Sequence, residues 1–253
     1  WMKRNGEALP LTVAIATDYT CSPMTCDSRL DRYYIASSAL EEQFAHGNIE
    51  RSQILASGIP VRKAFFSVAP KAEAKKAFGI FAQHQHLVIM CGSMGCGPIR
   101  DLVRQIGSKL NAYQECSVVC GTNKKLYQTL HESDIPREKI HILPYVEDMS
   151  LLMDSADLFL TKPGGISVTE AAVKRLPRVL VDAVAGCEED NLAFFVQNKA
   201  AVTGQALEEL SALTVNLLNE PRALAELSAN LSKIATEDAA HTIFSDMCQS
   251  EVH

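Results

Sequence analysis

Two glycine-containing segments have the residue types and the position that suit a phosphate group. Each follows a run of apolar residues and precedes a helix-length amphipathic segment. The first consists of Gly92, Ser93, Met94 and Gly95, and the second of Lys162, Pro163, Gly164 and Gly165, with Ser167 close behind. Glycine lets the backbone approach a ligand, and the N–H groups at the start of a helix attract an anion. We expect both segments to lie against a diphosphate, although neither matches the Walker loop or G-x-G-x-x-G.

Acidic and amide side chains near the second segment have the chemistry to bind sugar hydroxyls. Glu170 falls one turn inside the predicted helix, where its carboxylate would accept both hydroxyls of a ribose. Glu188 and Asn191 stand near the start of the next predicted helix. They have two interpretations, because such residues either cap a helix or contact sugar hydroxyls. An ordinary strand-to-helix turn is likewise the alternative for the second segment.

Tyr145 and Val146 follow another apolar run, Ile140–Leu143, and offer backbone N–H and C=O groups to the edge of a planar base. Like the other segments, they come directly after a predicted strand. Ligands of open parallel sheets bind at the carboxyl ends of the strands. The shared position therefore supports one binding site more strongly than any single motif does.

The elements that must position these residues alternate between strand and helix. Short apolar runs without polar alternation are typical of parallel strands covered on both faces, so the pattern predicts a doubly wound α/β sheet. The predicted strands are Leu11–Ala16, Tyr33–Ala36, Gln53–Ala56, His86–Met90, Cys116–Val119, Ile140–Leu143, Leu158–Leu160, Arg178–Val181 and Ala200–Val202. The predicted helices include Ile99–Leu110, Lys124–Glu132, Ser167–Arg175, Asp190–Gln197, Leu207–Leu218, Arg222–Ile234 and Ala239–Gln249.

The first strands form too small a set to close a doubly wound sheet of their own. We therefore expect residues 1–68 to be the second half of an N-terminal domain, and residues 69–253 to form a complete second domain. The alternative is a small subdomain packed on the second sheet.

Composition excludes several classes of protein. The chain of 253 residues has 47% apolar and 21% charged residues, which is typical of a folded globular protein. Its formal net charge of −6 argues against nucleic-acid binding. It has no apolar run of membrane-spanning length. The eight cysteines form no C-x-x-C pair and the seven histidines no zinc-type spacing, so we expect free thiols and no bound metal.

Taken in order, these segments resemble the C-terminal domain of inverting GT-B glycosyltransferases. The similarity is strongest to the monogalactosyldiacylglycerol synthase and processive diacylglycerol glucosyltransferase group, which is related to the peptidoglycan N-acetylglucosaminyltransferase. The matching features are Gly92-Ser93-Met94-Gly95, Cys120-Gly121-Thr122-Asn123, Tyr145-Val146, Lys162-Pro163-Gly164-Gly165 with Glu170, and Glu188 with Asn191. In the N-terminal part they are Thr17-Asp18-Tyr19, Asp31-Arg32-Tyr33-Tyr34 and Gly58-Ile59-Pro60-Val61-Arg62.

The resemblance implies a role for each matching residue. The residues that would lie near the diphosphate are Gly92, Ser93, Gly95, Gly164, Gly165 and Ser167. Met94 and Lys162 belong to the same segments and would also contact the UDP-sugar. Gly121, Tyr145 and Val146 would line the base site, with the Val146 backbone contacting uracil. Glu170 would bind the ribose, and Glu188 and Asn191 the sugar or the phosphates. The family's N-terminal loop with a histidine near the reaction centre is missing, so the resemblance implies that the main general base is absent from this chain. Asp18 is the acidic residue that we nominate as catalytic in the N-terminal part, and a strand-end cap is its alternative.

The fold implied is of GT-B type, with a Rossmann-like C-terminal domain and a partial Rossmann-like N-terminal domain. The activity implied is a metal-independent transfer of a hexose from a UDP-sugar to a lipid such as diacylglycerol, without a cofactor. Two alternatives stay open, a UDP-N-acetylglucosamine 2-epimerase and a non-catalytic nucleotide-sugar-binding fragment. A lipid acceptor implies a cytoplasmic protein at the inner face of the cell membrane. A local basic cluster consists of Arg62, Lys63, Lys71, Lys75 and Lys76. It would attract the anionic headgroups of a membrane, and the alternative is a solvated helix face with a linker.

Overall fold

The computed structural model describes residues 10–46, 49–90, 99–235 and 238–250. The chain divides into two compact units, which we describe separately: one runs to Arg62 and includes the C-terminal residues from 236, and the other spans Lys63–Ala235. The predicted phosphate-binding residues Gly92, Ser93, Met94 and Gly95 lie outside the described residues, so their role stays a prediction.

Strands and helices alternate along most of the chain. The strands are β1 (Val13–Ile15), β2 (Arg32–Tyr34), β3 (Ile54–Leu55), β4 (Gln85–Met90), β5 (Gln114–Val119), β6 (Ile140–Leu143), β7 (Leu158–Thr161), β8 (Arg178–Leu180) and β9 (Val202–Thr203). The α-helices are α1 (Pro23–Asp27), α2 (Glu41–His46), α3 (Lys71–Ala77), α4 (Ile99–Lys109), α5 (Lys124–Glu132), α6 (Met149–Ser155), α7 (Gly165–Val173), α8 (Cys187–Gln197), α9 (Leu207–Leu218), α10 (Pro221–Ile234) and α11 (Ala239–Ser250).

The N-terminal unit contains a parallel sheet in the order β1-β2-β3. Helix α11 belongs to this unit although it ends the chain. Its Asp246 accepts two hydrogen bonds from the guanidinium of Arg32, at 2.7 and 2.8 Å, and one from the Tyr34 hydroxyl at 2.9 Å. A bidentate arginine–carboxylate pair fixes geometry strongly. The compact units therefore differ from the predicted division into 1–68 and 69–253, since α11 is tied to β2 by Asp246.

The second unit contains a sheet in which each adjacent pair of strands is parallel, in the order β6-β5-β4-β7-β8-β9. This is the strand order of a doubly wound dinucleotide-binding fold, with the direction of winding reversed between β4 and β7. The predicted doubly wound α/β sheet is confirmed. Because the strands are parallel, the loops that follow β4 to β8 all begin at one edge of the sheet.

Side chains of β4 divide between the two faces of this sheet. Leu87 and Ile89 are fully buried in a cluster that includes Ile106 of α4 and Leu218 of α9. His86 lies on the other face, because successive residues of a strand point to opposite sides. The helices on both faces thus bury the apolar runs from which the strands were predicted.

Several predicted boundaries were wrong by two or three residues, and three of them have a clear local cause. Helix α7 ends at Val173 instead of Arg175, whose positive φ of 52° breaks the helix. Helix α8 begins at Cys187 instead of Asp190, directly after Gly186 with its φ of 101°. Strand β9 begins at Val202 instead of Ala200, because the Ala200 amide donates to the Phe195 carbonyl and so completes the end of α8.

Part of the predicted basic cluster is used inside the protein. Lys75 is only 4% exposed, and its Nζ lies 3.0 Å from Asp157 Oδ2. Lys71 contacts the other oxygen of the same carboxylate at 2.6 Å. These two lysines share one carboxylate, and about half of the Lys71 side chain stays exposed, so the exposed members of the cluster in this unit are Lys63, Lys71 and Lys76. Among the described residues, the helices are too short or too polar to cross a membrane.

His86 is buried between two hydroxyl groups in the second unit. Its Nδ1 lies 2.9 Å from the Ser155 hydroxyl and its Nε2 2.8 Å from the Ser117 hydroxyl. Burial disfavours the imidazolium and lowers the pKa of His86 from 6.5 to about 4, although the nearby Asp157 carboxylate acts in the opposite direction. The folded protein therefore holds a neutral imidazole at a position where protonation is costly.

The stability of the fold should consequently fall in mild acid. The unfolded chain takes up the His86 proton near pH 6.5 and the folded chain only near pH 4, so the contribution of His86 is complete above pH 6.5. As the pH falls from 6.5 to 4, this contribution is lost, and the free energy of unfolding decreases by about 3 kcal/mol. In urea unfolding at several pH values, His86→Gln should reduce this loss by that amount, and the exposed-residue control His131→Gln should not. An unchanged pH slope in His86→Gln would contradict the assignment.

Candidate functional site

A pocket of about 190 Å³ lies where β4, β5 and β6 end. It is lined by Met90, Val119, Gly121, Thr122, Tyr145, Val146 and Met149. The structure thus brings together Gly121, Tyr145 and Val146, which were predicted to line the base site. The side chains are mostly apolar, so hydrogen bonding would fall largely to the backbone. Such a lining suits a planar, weakly polar ring.

Helix caps hold the two loops that form this pocket. Asn123 Oδ1 accepts from the Leu126 amide at the start of α5, and Asp148 Oδ1 accepts from the Leu151 amide at the start of α6, each at 2.9 Å. Gly121 has a φ of 58°, a left-handed conformation that glycine adopts without strain. The backbone around the pocket is therefore fixed by local interactions.

The next loop along the sheet leads from β7 into α7. The helix begins at Gly165, and its N-cap residue Gly164 supplies no side-chain hydrogen bond. The first N–H groups of a helix have no partner within the helix, so this end suits an anion. Gly164 has an ordinary φ of −68°, and a Cβ built on it meets nothing within 4 Å. Neither the backbone nor the packing requires glycine there, which is expected where space is kept for a ligand.

The pocket and this helix start are neighbours in the sheet. Met90, which lines the pocket, is paired in register with Thr161, the last residue of β7. Strands β4 and β7 flank the point where the winding of the sheet reverses, the usual position of a nucleotide crevice. The described segments of the predicted site, after β5, β6 and β7, therefore lie along the same edge of the sheet.

Lys162, Ser167 and Glu170 complete this part of the site. Ser167 lies in the first turn of α7 and is half-buried, and Glu170 is 8% exposed. Lys162 Nζ lies 3.2 Å from Asp182 Oδ2, in the loop after β8. Sequence reasoning missed this ion pair, whose only signal was that both residues directly follow neighbouring strands. It links the β7 loop to the β8 loop.

The two residues predicted to contact the sugar or the phosphates make contacts within the protein. Glu188 Oε2 accepts from the Val184 amide at 2.8 Å, which closes the loop before α8. Asn191 is fully buried, and its Nδ2 donates to the Pro163 carbonyl at 2.9 Å. A direct sugar contact stays a prediction for Glu188, whereas Asn191 has no exposed surface to offer.

In the N-terminal unit, Asp18 follows β1 and is half-buried. The Thr17 hydroxyl donates to its Oδ2 at 3.3 Å. The next residues are held by Gln43, which accepts from the Cys21 amide and donates to the Thr20 hydroxyl. Asp18 therefore stands at the carboxyl end of a parallel strand, and its catalytic role stays a prediction.

Metal ligands do not cluster in the part of the chain that the structure describes: it contains no group of three or more His, Cys, Asp or Glu suited to a metal ion. The described cysteines, six in number, are free thiols.

Comparison with known families divides the chain in two. Residues 86–243 match the family described as Glycosyltransferase family 28 C-terminal domain, and residues 2–61 match Monogalactosyldiacylglycerol (MGDG) synthase.

Curated relatives agree with these matches. A processive diacylglycerol beta-glucosyltransferase of Bacillus pumilus is 28% identical over 251 residues, which cover 98% of this chain and 65% of the relative. The chloroplastic monogalactosyldiacylglycerol synthase of Spinacia oleracea is 30% identical over 252 residues, which cover 95% of this chain and 48% of the relative. The chain thus spans about half to two thirds of the length of these relatives.

Solved structures share the fold. MurG of Acinetobacter baumannii has a TM-score of 0.68 at 18% identity, over 98% of this chain and 68% of that one. Anabaena HepE in complex with UDP has a TM-score of 0.61 at 15% identity, over 96% of this chain and 72% of that one. The UDP-GlcNAc 2-epimerase of Neisseria meningitidis, bound to UDP-GlcNAc, has a TM-score of 0.63 at 13% identity, over 87% of this chain and 62% of that one. The predicted GT-B type of fold is confirmed.

The open space at Gly164 gives a direct test of the site. Gly164→Ala should leave the free energy of unfolding unchanged or raise it by up to about 1 kcal/mol, because the residue has an ordinary φ and nothing crowds its Cβ. The same methyl group would occupy the space kept for a diphosphate and lower the affinity for UDP by about tenfold, or 1.4 kcal/mol. Urea unfolding and calorimetric titration measure the two effects. Unchanged UDP affinity would show that the ligand does not approach Gly164.

Proposed function

We propose that this chain, which belongs to glycosyltransferase family 28 through its C-terminal domain, serves the inverting transfer of a hexose from a UDP-sugar to a lipid acceptor such as diacylglycerol. The observation that supports this most is the pairing of an apolar pocket with an uncapped helix start at the switch point of the sheet. Such a pair suits a ligand with a planar base at one end and a diphosphate at the other.

The proposed donor occupies this edge in three parts. Uracil lies in the pocket against Val146, and the ribose hydroxyls donate to the Glu170 carboxylate. The diphosphate lies at the start of α7, near Gly164 and Ser167. There the helix dipole and the N–H groups stabilise the negative charge that grows on the departing UDP. This backbone contribution is the reason that we propose a transfer without a metal or other cofactor.

The acceptor hydroxyl attacks the anomeric carbon from the face opposite UDP, which inverts the configuration there. As the bond forms, a general base takes the proton of that hydroxyl. Asp18 is the carboxylate that we propose for this step.

A lipid acceptor is proposed because the two relatives described above are named for diacylglycerol or its galactosyl product. Such an acceptor lies in a membrane, so we propose peripheral contact of the protein with an anionic, cytoplasmic membrane surface. The exposed lysines Lys63 and Lys76 supply the charge for this contact, whereas Lys71 and Lys75 already contact Asp157.

Nucleotide specificity tests the proposed donor. UDP and UDP-hexoses at a hundredfold excess over Kd should stabilise the folded protein by about 2.7 kcal/mol, with or without EDTA, and GDP should stabilise it much less. Glu170→Gln should remove most of this gain because the neutral amide accepts the ribose hydroxyls weakly, while the exposed control Glu189→Gln should keep it. Thermal unfolding measures the shifts. Equal stabilisation by GDP would contradict the donor, and loss of the shift in EDTA would contradict binding without a metal.

Sedimentation with lipid vesicles tests the membrane contact. The protein should pellet with anionic vesicles at low salt and less at high salt, since each basic residue near the surface contributes about 1 kcal/mol. Lys63→Gln combined with Lys76→Gln should weaken pelleting, and Lys233→Gln on α10 serves as the control. Equal pelleting with neutral vesicles would contradict an electrostatic contact.

A further inference from the structure

We propose that Asn191 is a positioning residue, which fixes the diphosphate-binding turn after β7 from inside the protein and does not itself contact the sugar or the phosphates. This inference rests on the proposed function for the identity of the ligand. Its structural part concerns the protein alone and is tested without any ligand.

Asn191 belongs to the buried face of α8. The buried residues of that helix are Asn191, Phe194 and Phe195, spaced as one helical stripe. Asn191 is 0% exposed, so its amide lies among the packed side chains and not in the cleft. A buried amide is costly unless it is hydrogen-bonded, and Asn191 Nδ2 donates to the Pro163 carbonyl at 2.9 Å.

Holding that carbonyl fixes the next amide. The Pro163–Gly164 peptide is planar and trans, as the described chain contains no cis peptide bond. In such a peptide the N–H points opposite to the C=O. With the Pro163 oxygen directed to Asn191, the Gly164 N–H is directed away from α8. Asn191 thereby sets the orientation of the amide that enters the start of α7.

Apart from the hydrogen bond that the Gly164 carbonyl accepts from the Val168 amide at 3.1 Å, the start of α7 offers little to set this orientation. Gly164 has no side chain, its Cβ position is open, and α7 has no side-chain cap. Lys162, the residue before Pro163, is held by its ion pair with Asp182. The turn is therefore restrained at both Lys162 and Pro163 by residues of the β8 loop and α8. This couples the first turn of α8, which carries Glu188, to the turn that we propose for the diphosphate.

Hydrogen exchange of the ligand-free protein tests this role directly. Asn191→Asp removes the donor and, at pH 8, places a carboxylate beside the Pro163 carbonyl. Exchange in the segment 162–168 should then rise about tenfold, while segments of β4 and β5 stay protected. Asn198→Asp is the matched control, because Asn198 caps the C-terminal end of the same helix and its Nδ2 donates to the Phe194 carbonyl at 2.8 Å. The charge introduced by Asn191→Asp could unfold α8 and so obscure the local effect. In that case the neutral variant Asn191→Ser provides the same test, and it should show the same rise in exchange in the segment 162–168.

Ligand affinities complete the test. The Asn191 variants should lose about tenfold in affinity for UDP and for UDP-glucose alike, and keep their affinity for uridine, whose base binds in the separate pocket. Lowering the pH of Asn191→Asp to 5 should restore UDP affinity, since a neutral carboxyl donates to the Pro163 carbonyl.

Unchanged exchange at 162–168 in the variants would overturn the positioning role, as would a loss confined to UDP-glucose, which marks a direct sugar contact. Failure of the unmodified protein to bind UDP would instead overturn the proposed function, and the exchange result would still decide the role of Asn191.

Discussion

The parallel direction of β4 to β8 is the constraint on which the rest of the structure depends. Parallel strands end at one edge, so loops that are far apart in the sequence meet there. The winding reverses between β4 and β7, which is the usual position of a ligand crevice. The start of α7 and the pocket that Met90 lines lie on the two sides of this reversal, and an antiparallel β4 or β7 would separate them.

The proposed site suits an anion without a surplus of basic side chains. The chain has a net charge of −6, and two lysines of the second unit are paired: Lys162 with Asp182, and Lys174 with Asp154 at 2.8 Å. What suits a diphosphate is the N-terminal end of α7, where backbone N–H groups provide a fixed partial positive charge. Fixed dipoles need no reorganisation when charge develops on a leaving group. The side chains serve chiefly to hold that backbone in place.

The sequence predicted the order of strands and helices in the second unit, because buried parallel strands leave uninterrupted apolar runs. It did not predict α6, which is short and begins behind the capping residue Asp148. The inward orientation of Asn191 was also missed. Its spacing to Phe194 and Phe195 was the available signal, but an asparagine beside two acids equally suits a binding loop. The ion pairs of Lys71 and Lys75 with Asp157 join residues more than 80 positions apart, and spacing cannot reveal such contacts.

The central claim is that the pocket beside Val146 and the start of α7 bind one nucleoside diphosphate together. A crystal structure with UDP bound measures this most directly. The account predicts uracil between Tyr145 and Met149, the ribose at the Glu170 carboxylate, and the diphosphate at the amides of Gly164 to Ser167. Nucleotide density at another edge of the sheet, or a diphosphate directed away from α7, would contradict it.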